Sequence, residues 1–127
     1  MPLITARLAT SPSDDVTAMA VKLLTDLTVG VLDKEKPRTT VVVEYVPRAQ
    51  WWRGGSQGGF FVQAKITAGT NSPAEKALYV SRAGEALEAL LGISGYVEVD
   101  EIDAGSWGHG GETQSARYAA FAGRKAN

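Results

Sequence analysis

A proline stands directly after Met1, at the head of the apolar stretch Leu3 to Ala9. Proline is tolerated at the first residue of a strand, so the position has an ordinary structural use. It also has a chemical one. Removal of Met1 leaves Pro2 with a free secondary amine, a base that no side chain supplies. An α-amino group titrates near ~7.7–8.0. An apolar pocket disfavours its ammonium form and lowers that value toward neutral pH, the condition for efficient proton transfer. Few other residues compete for chemistry. The chain has no cysteine, so a thiolate nucleophile, a thiolate zinc site and a disulfide framework are all excluded. His109 is the one histidine, in a glycine-rich turn, where it reads as a solvated and pH-responsive loop residue. Ala104-Gly105-Ser106-Trp107-Gly108 imitates a nucleophile elbow but lacks its first glycine. Gly54 to Gly59 is followed by no Gly-Lys-Ser/Thr, so it is no phosphate loop and reads as a flexible joint.

The elements that must position these residues form a repeated pattern. Leu3 to Ala9 is a candidate strand. Ser13-Asp14-Asp15 is helix-start chemistry. Val16, Met19, Ala20, Leu23, Leu24, Leu27 and Val31 follow at helical spacing. Asp33 to Arg38 is a charged, proline-containing connection, with the charges Asp33 to Lys36 expected to be solvated, and the valine-rich Thr39 to Val46 is a strand. Phe60 to Thr67 then opens a second unit. Ser72-Pro73-Ala74-Glu75 is a capping box with proline at the first helical position. The apolar positions Ala77 to Leu91 are stopped by Gly92, and Gly95 to Ile102 is a fourth strand. Trp51-x-x-Gly54-Gly55 and Trp107-x-x-Gly110-Gly111 close the two valine-rich strands in the same way.

The expected fold is therefore α+β. It is one domain of two pseudo-repeats, residues 2–57 and 58–112, each a β-α-β unit with a right-handed parallel crossover, followed by a tail at 113–127. The two units join in a four-stranded mixed sheet with both helices on one face. Thr113 to Ala122 is expected to add a short helix, and residues 123–127 to fray. The other sheet face is expected to be lined by residues such as Val41, Val43, Phe61 and Val97 and covered by self-association.

Bulk composition narrows the function. The 127 residues are 44% hydrophobic and 21% charged, the balance of an ordinary soluble globule. A net charge of -1 gives no basic surplus for nucleic acid or an anionic membrane surface. No apolar run approaches the length of a bilayer span, and no signal pattern opens the chain. A cytoplasmic protein is expected.

The Pro-Leu-Ile strand, the duplicated β-α-β unit and the aromatic-x-x-Gly-Gly turns resemble the tautomerase superfamily over nearly the whole chain. One-unit members include 4-oxalocrotonate tautomerase. Two-unit members, which form trimers, include cis-3-chloroacrylic acid dehalogenase, and Trp52 to Gly59 looks most like that branch. The resemblance implies a cofactor-independent tautomerase or isomerase with Pro2 as general base. It implies a small 2-keto or enol acid as substrate, a homotrimer, and related hydratase, dehalogenase or decarboxylase chemistry. Carried over, the substrate-binding positions are Thr67 and Thr70, where relatives place arginines, with Tyr96, Glu98 and the aromatic wall Trp107. His109, beside Trp107, joins them as a candidate. The usual charged clamp is missing, and Arg7, Arg53, Lys65 and Arg117 are candidate substitutes. Phe60 stands where the first unit has Pro2, which leaves one active site per chain. Trp51 and Trp52 read as packing anchors or subunit contacts. The order β-α-β-β-α-β also suits a ferredoxin-like domain, either a non-catalytic small-ligand module or a cofactor-free monooxygenase. A protein that has lost the mass of Met1 favours the first reading, and a retained methionine favours the second.

Overall fold

The computed structural model describes residues 1–126, with side chains described through Ala120. Strand β1 (Leu3–Leu8) alternates as the pleat demands, with Ile4, Ala6 and Leu8 fully buried. Helix α1 (Asp14–Leu32) starts where Ser13 Oγ accepts the Val16 amide at 3.2 Å, and Asp14 and Asp15 lie in its first turn, at the positive end of the helix dipole. It ends at Asp33 in the left-handed region (φ 55°), and a 3-10 turn (Lys36–Arg38) leads into β2 (Thr40–Tyr45). The second unit repeats the first. It comprises β5 (Phe60–Thr67), α2 (Pro73–Leu91) and β6 (Tyr96–Ile102). The capping box expected at Ser72 and Glu75 is present in both directions, and Gly92 (φ 70°) is the helix stop.

The sheet order is β2-β1-β5-β6. β1 pairs with β2 and β5 with β6 in parallel, whereas β1 and β5 run antiparallel in the middle. Each crossover strand thus lies directly beside its own partner. The split arrangement of a ferredoxin-like domain is absent, and the fused two-unit expectation holds. The helices share one face, over a core of Ile4, Leu8, Leu24, Leu32, Phe60, Val62, Ile66, Tyr79 and Leu87.

The open face differs from expectation. Val41, Val43 and Val97 pack against the helical core. Strand register leaves Leu3, Thr5, Arg7, Val42, Glu44, Phe61, Gln63, Lys65, Glu98 and Asp100 on the other side. Arg7 pairs with Glu44 at 3.2 Å, and Gln63 donates to Glu98 at 2.9 Å. The valines were assigned to the wrong side because every second position faces one way and the buried parity of β1 fixes that of its neighbours. Phe61 lies on that open face as expected, beside Leu3 and Val42, so the face is mixed polar and apolar.

Two short hairpins close the units. They are β3–β4 (Trp52–Arg53 with Ser56–Gln57) and β7–β8 (Gly108–His109 with Glu112–Thr113). Both central glycines are at positive φ in each, 56° and 85° for Gly54 and Gly55 and 62° and 82° for Gly110 and Gly111. Type I′ hairpin turns require that conformation. The presumed flexible joint at residues 54–59 is therefore an ordered hairpin, because the glycines select a turn and do not loosen the chain. Both hairpins are tied back in the same way: Gly58 N donates to Trp51 O and Gln114 N to Trp107 O, each at 3.0 Å. Helix α3 (Gln114–Ala126) follows. It begins one residue after the expected start and runs past Ala122. The expected fraying of 123–127 falls on a backbone that is helical through Ala126, and Asn127 lies outside the described residues.

The two helices also meet through one buried polar pair. Thr28 Oγ1 donates to Leu24 O at 2.7 Å and lies 3.2 Å from Tyr79 Oη, so the phenol donates to the threonine oxygen. Both residues have zero exposure. Tyr79→Phe leaves Thr28 bonded to Leu24 and should cost about 1 kcal/mol. Thr28→Val strands the buried phenol and should cost more, about 1–3 kcal/mol. In urea denaturation the double variant should lie close to Tyr79→Phe alone.

Candidate active site

The β1–β5 pairing decides what surrounds the chain end. Leu3 lies opposite Lys65 in antiparallel register. The Met1–Pro2 end of β1 therefore lies beside the Ile66–Thr67 end of β5. Parallel pairing of β1 with β2 brings the loop after α1 to the same place, and Thr40 N donates to Pro2 O at 3.1 Å. Asn71 Nδ2 donates to Leu32 O at 2.9 Å, which fastens the β5–α2 loop to the end of α1.

A connected set of side chains rings this end. Lys34 Nζ donates to Thr70 Oγ1 at 2.9 Å. Thr70 Oγ1 donates to the Thr67 carbonyl at 2.7 Å. Trp107 Nε1 donates to Thr67 Oγ1 at 3.1 Å. Gln114, only 2% exposed, places Nε2 3.7 Å from Met1 Sδ. A thioether is a weak acceptor, so this buried amide has a poor partner. The Pro2 side chain is fully buried. Because the chain carries Met1, the Pro2 nitrogen is an amide and the free amine belongs to Met1.

The electrostatics of that amine are distinctive. Its pKa is lowered from the ordinary value, first by burial and then by the charges of Lys34, Arg117 and Arg38, with Glu35 opposing. Lys34 is itself half-buried and lowered by burial. Arg38 is held by Glu35 at 3.1 Å, whereas Lys34 and Arg117 have no carboxylate within salt-bridge distance among the described residues. The end of β1 is thus a half-buried amine facing three cations, bordered by Thr67, Thr70, Trp107 and Gln114. Such a setting favours a neutral amine and an anionic visitor.

The sequence matches no family model and no curated protein. Solved structures share its architecture. A fused 4-OT wild-type asymmetric trimer (R7) superposes with a TM-score of 0.81 at 21% identity, over 91% of this chain and 98% of that one. Pt0534, inactivated by 2-oxo-3-pentynoate, gives a TM-score of 0.83 at 13% identity over 91% and 98%. N1, of the cis-3-chloroacrylic acid dehalogenase family, gives 0.78 at 15% identity over 94% and 90%. The chain has the fused tautomerase fold.

Within that fold the residues singled out from the sequence separate. Pro2, Thr67, Thr70 and Trp107 come together at one end of the sheet. His109 is exposed on the β7–β8 hairpin two residues beyond Trp107. Glu98 points from the open face and accepts from Gln63. Tyr96 opens β6 at the opposite end, with the Arg53 guanidinium 5.6 Å above its ring. Of the four substitute cations, only Arg117 reaches the Pro2 end. Arg7 and Lys65 belong to the open face, and Arg53 belongs to the far hairpin. Lys34, Arg38 and Gln114 were missed. Lys34 lies among the charges expected to be solvated and Arg38 in the same connection, but a β-α-β crossover returns the end of its helix to the start of its first strand. That rule alone could have placed them. Gln114 carries no signal in sequence.

The electrostatics can be checked directly. In the Met1-bearing protein the terminal amine should titrate below ~7.7–8.0. Lys34→Gln and Arg117→Gln each remove a charge that penalises the ammonium, so each should move that titration upward. NMR titration of isotope-labelled Met1 measures both.

Proposed function

We propose that this protein is a cofactor-independent, tautomerase-type isomerase. Removal of Met1 frees the Pro2 nitrogen as the general base, and the substrate is a small 2-keto or enol acid. The observation that carries this reading is the half-buried chain-end amine, held toward its neutral form by burial and by Lys34, Arg117 and Arg38. Loss of Met1 moves the amine one residue inward, onto a residue that is already buried. The cations that flank the chain end remain beside it, and their charge disfavours the ammonium form.

The roles divide by chemistry. Pro2 N takes the proton α to the carbonyl, or the enol hydroxyl proton, and returns it at the other end of the conjugated system. Lys34 and Arg117 hold the substrate carboxylate. They replace the arginines that stand in relatives where this chain has Thr67 and Thr70. Gln114 Nε2, released from the Met1 thioether, donates to the oxygen on which enolate charge develops. Trp107 forms the wall, oriented by its bond to Thr67. Hydration, dehalogenation and decarboxylation of related acids draw on the same base. The reading includes a homotrimer, as in the fused 4-OT neighbours, and a cytoplasmic location. Among the described residues no helix is long and apolar enough to cross a membrane.

Intact mass of the protein from its native source should lack the methionine. Phenylenolpyruvate ketonisation should be catalysed, and Pro2→Ala should lower the rate on the order of 10²-fold while the fold is retained. Equal rates in the two proteins would remove Pro2 from the mechanism. Lys34→Gln should raise KM roughly tenfold or more with kcat less affected, since a charge-assisted bond to a carboxylate is lost. The reagent 2-oxo-3-pentynoate, an electrophilic alkyne, should add to the Pro2 nitrogen with its proton passing to carbon. Peptide mapping should find a single adduct on the N-terminal peptide and none on Lys34.

A further inference from the structure

The duplication places a second cleft where the other unit's active end would be. Strand β5 repeats β1, so Phe60 stands at the place of Pro2. Trp51 repeats Trp107, Ile93 follows the helix stop Gly92 as Lys34 follows Asp33, and Arg53 repeats His109. Around these residues lies a cleft of about 440 Å³, lined by Trp51, Arg53, Ser56, Ile93, Ser94 and Tyr96 among others. That volume is within the range of small-molecule sites.

Its chemistry is the reverse of the Pro2 end. No base is possible at Phe60, whose nitrogen is a peptide nitrogen in any fused chain, and an apolar Ile93 replaces the lysine. Phe60 is buried to 1% exposure beneath Gly95, where any side chain would overlap its ring and carbonyl. What the cleft offers is two aromatic walls, Trp51 and Tyr96, and hydrogen-bond donors. Arg53 has no carboxylate partner among the described residues and rests over the Tyr96 ring at 5.6 Å. The Trp51 indole nitrogen packs against Gly59 and, among the described residues, lacks the bond its twin makes to Thr67. The residue equivalent to Thr67 is Ala9, which carries no hydroxyl. No aspartate or glutamate lines the cleft.

We propose that this cleft is a non-catalytic binding site for a planar aromatic monocarboxylate. The carboxylate sits on the Arg53 guanidinium and the Trp51 N–H, and the ring lies between the Trp51 and Tyr96 walls. The proposal does not depend on the reaction at Pro2.

The test is a ¹H–¹⁵N titration of the full chain with benzoate and with its neutral counterpart benzamide. Benzoate should shift the Trp51 Nε1–H and Arg53 Nε–H resonances saturably, independently of any response at Trp107 Nε1–H, and benzamide should bind there markedly less well. Arg53→Gln, an exposed hairpin change, should weaken benzoate binding roughly tenfold. Trp51→Phe keeps the wall but removes the donor, and should weaken it by a smaller factor. The proposal is overturned by the absence of a saturable shift, by equal binding of benzamide, by a response at Trp107 in place of Trp51, or by full affinity in Arg53→Gln.

Discussion

Antiparallel hydrogen bonding between β1 and β5 is the constraint from which the rest of the molecule follows. It fixes two parallel crossover units head to tail about the sheet centre. The start of one unit's first strand then lies beside the end of the other's. A lone β-α-β unit brings its own helix end to the start of its first strand, but nothing more. The central pairing adds the β5–α2 loop with Thr67 and Thr70, and the turn carrying Trp107. A register slip of one residue would turn Ile4, Ala6 and Leu8 to the open face, so the same core burial that stabilises the fold holds the site in place.

Position alone would not make the chain-end amine a base. Its environment supplies the rest, through two effects of the same sign. Burial removes water from an ammonium, and Lys34, Arg38 and Arg117 raise the local potential. Both favour the neutral amine. In the proposed reaction the same cations would attract the substrate carboxylate, so one cluster would tune the base and bind the substrate. The cost falls on Lys34, which is half-buried without a carboxylate partner and whose own pKa is lowered. A protonated lysine in that state opposes folding at neutral pH, and the opposition fades as pH rises toward its ordinary value. An anionic ligand bound there would relieve that cost and so stabilise the fold.

Much of this was legible in the sequence, and the reasons for the rest are physical. Helix starts and stops at Ser13, Ser72 and Gly92 were readable because capping is local. The duplication was readable because the tryptophan–glycine turns recur. What failed depended on parity or distance. Val41, Val43 and Val97 alternate in the sequence without stating which face is inside. The glycine-rich stretch after Trp52 suggested looseness, although paired positive-φ glycines specify a turn. Lys34 looked like a solvated charge because a linear reading credits a loop charge with no neighbours. Topology gave it one.

Fusion of the two units settles why their ends diverge. A free α-amine exists once per chain, so the residue opening the second unit is bonded on both sides and can never be a base. A free-amine base therefore has no counterpart at that position. What remains is the demand of the core, which Phe60 meets with a ring buried under Gly95. The flanking positions differ the same way: isoleucine follows the second helix stop where lysine follows the first, and alanine stands where a threonine bonds the other tryptophan. Each difference leaves the second end one polar partner fewer. The scaffold of the cleft persists because the hairpin and the sheet edge need it, and its aromatic walls and free donors persist with it. Duplication thus gives both ends one shape, while a free chain-end amine is available at only one of them.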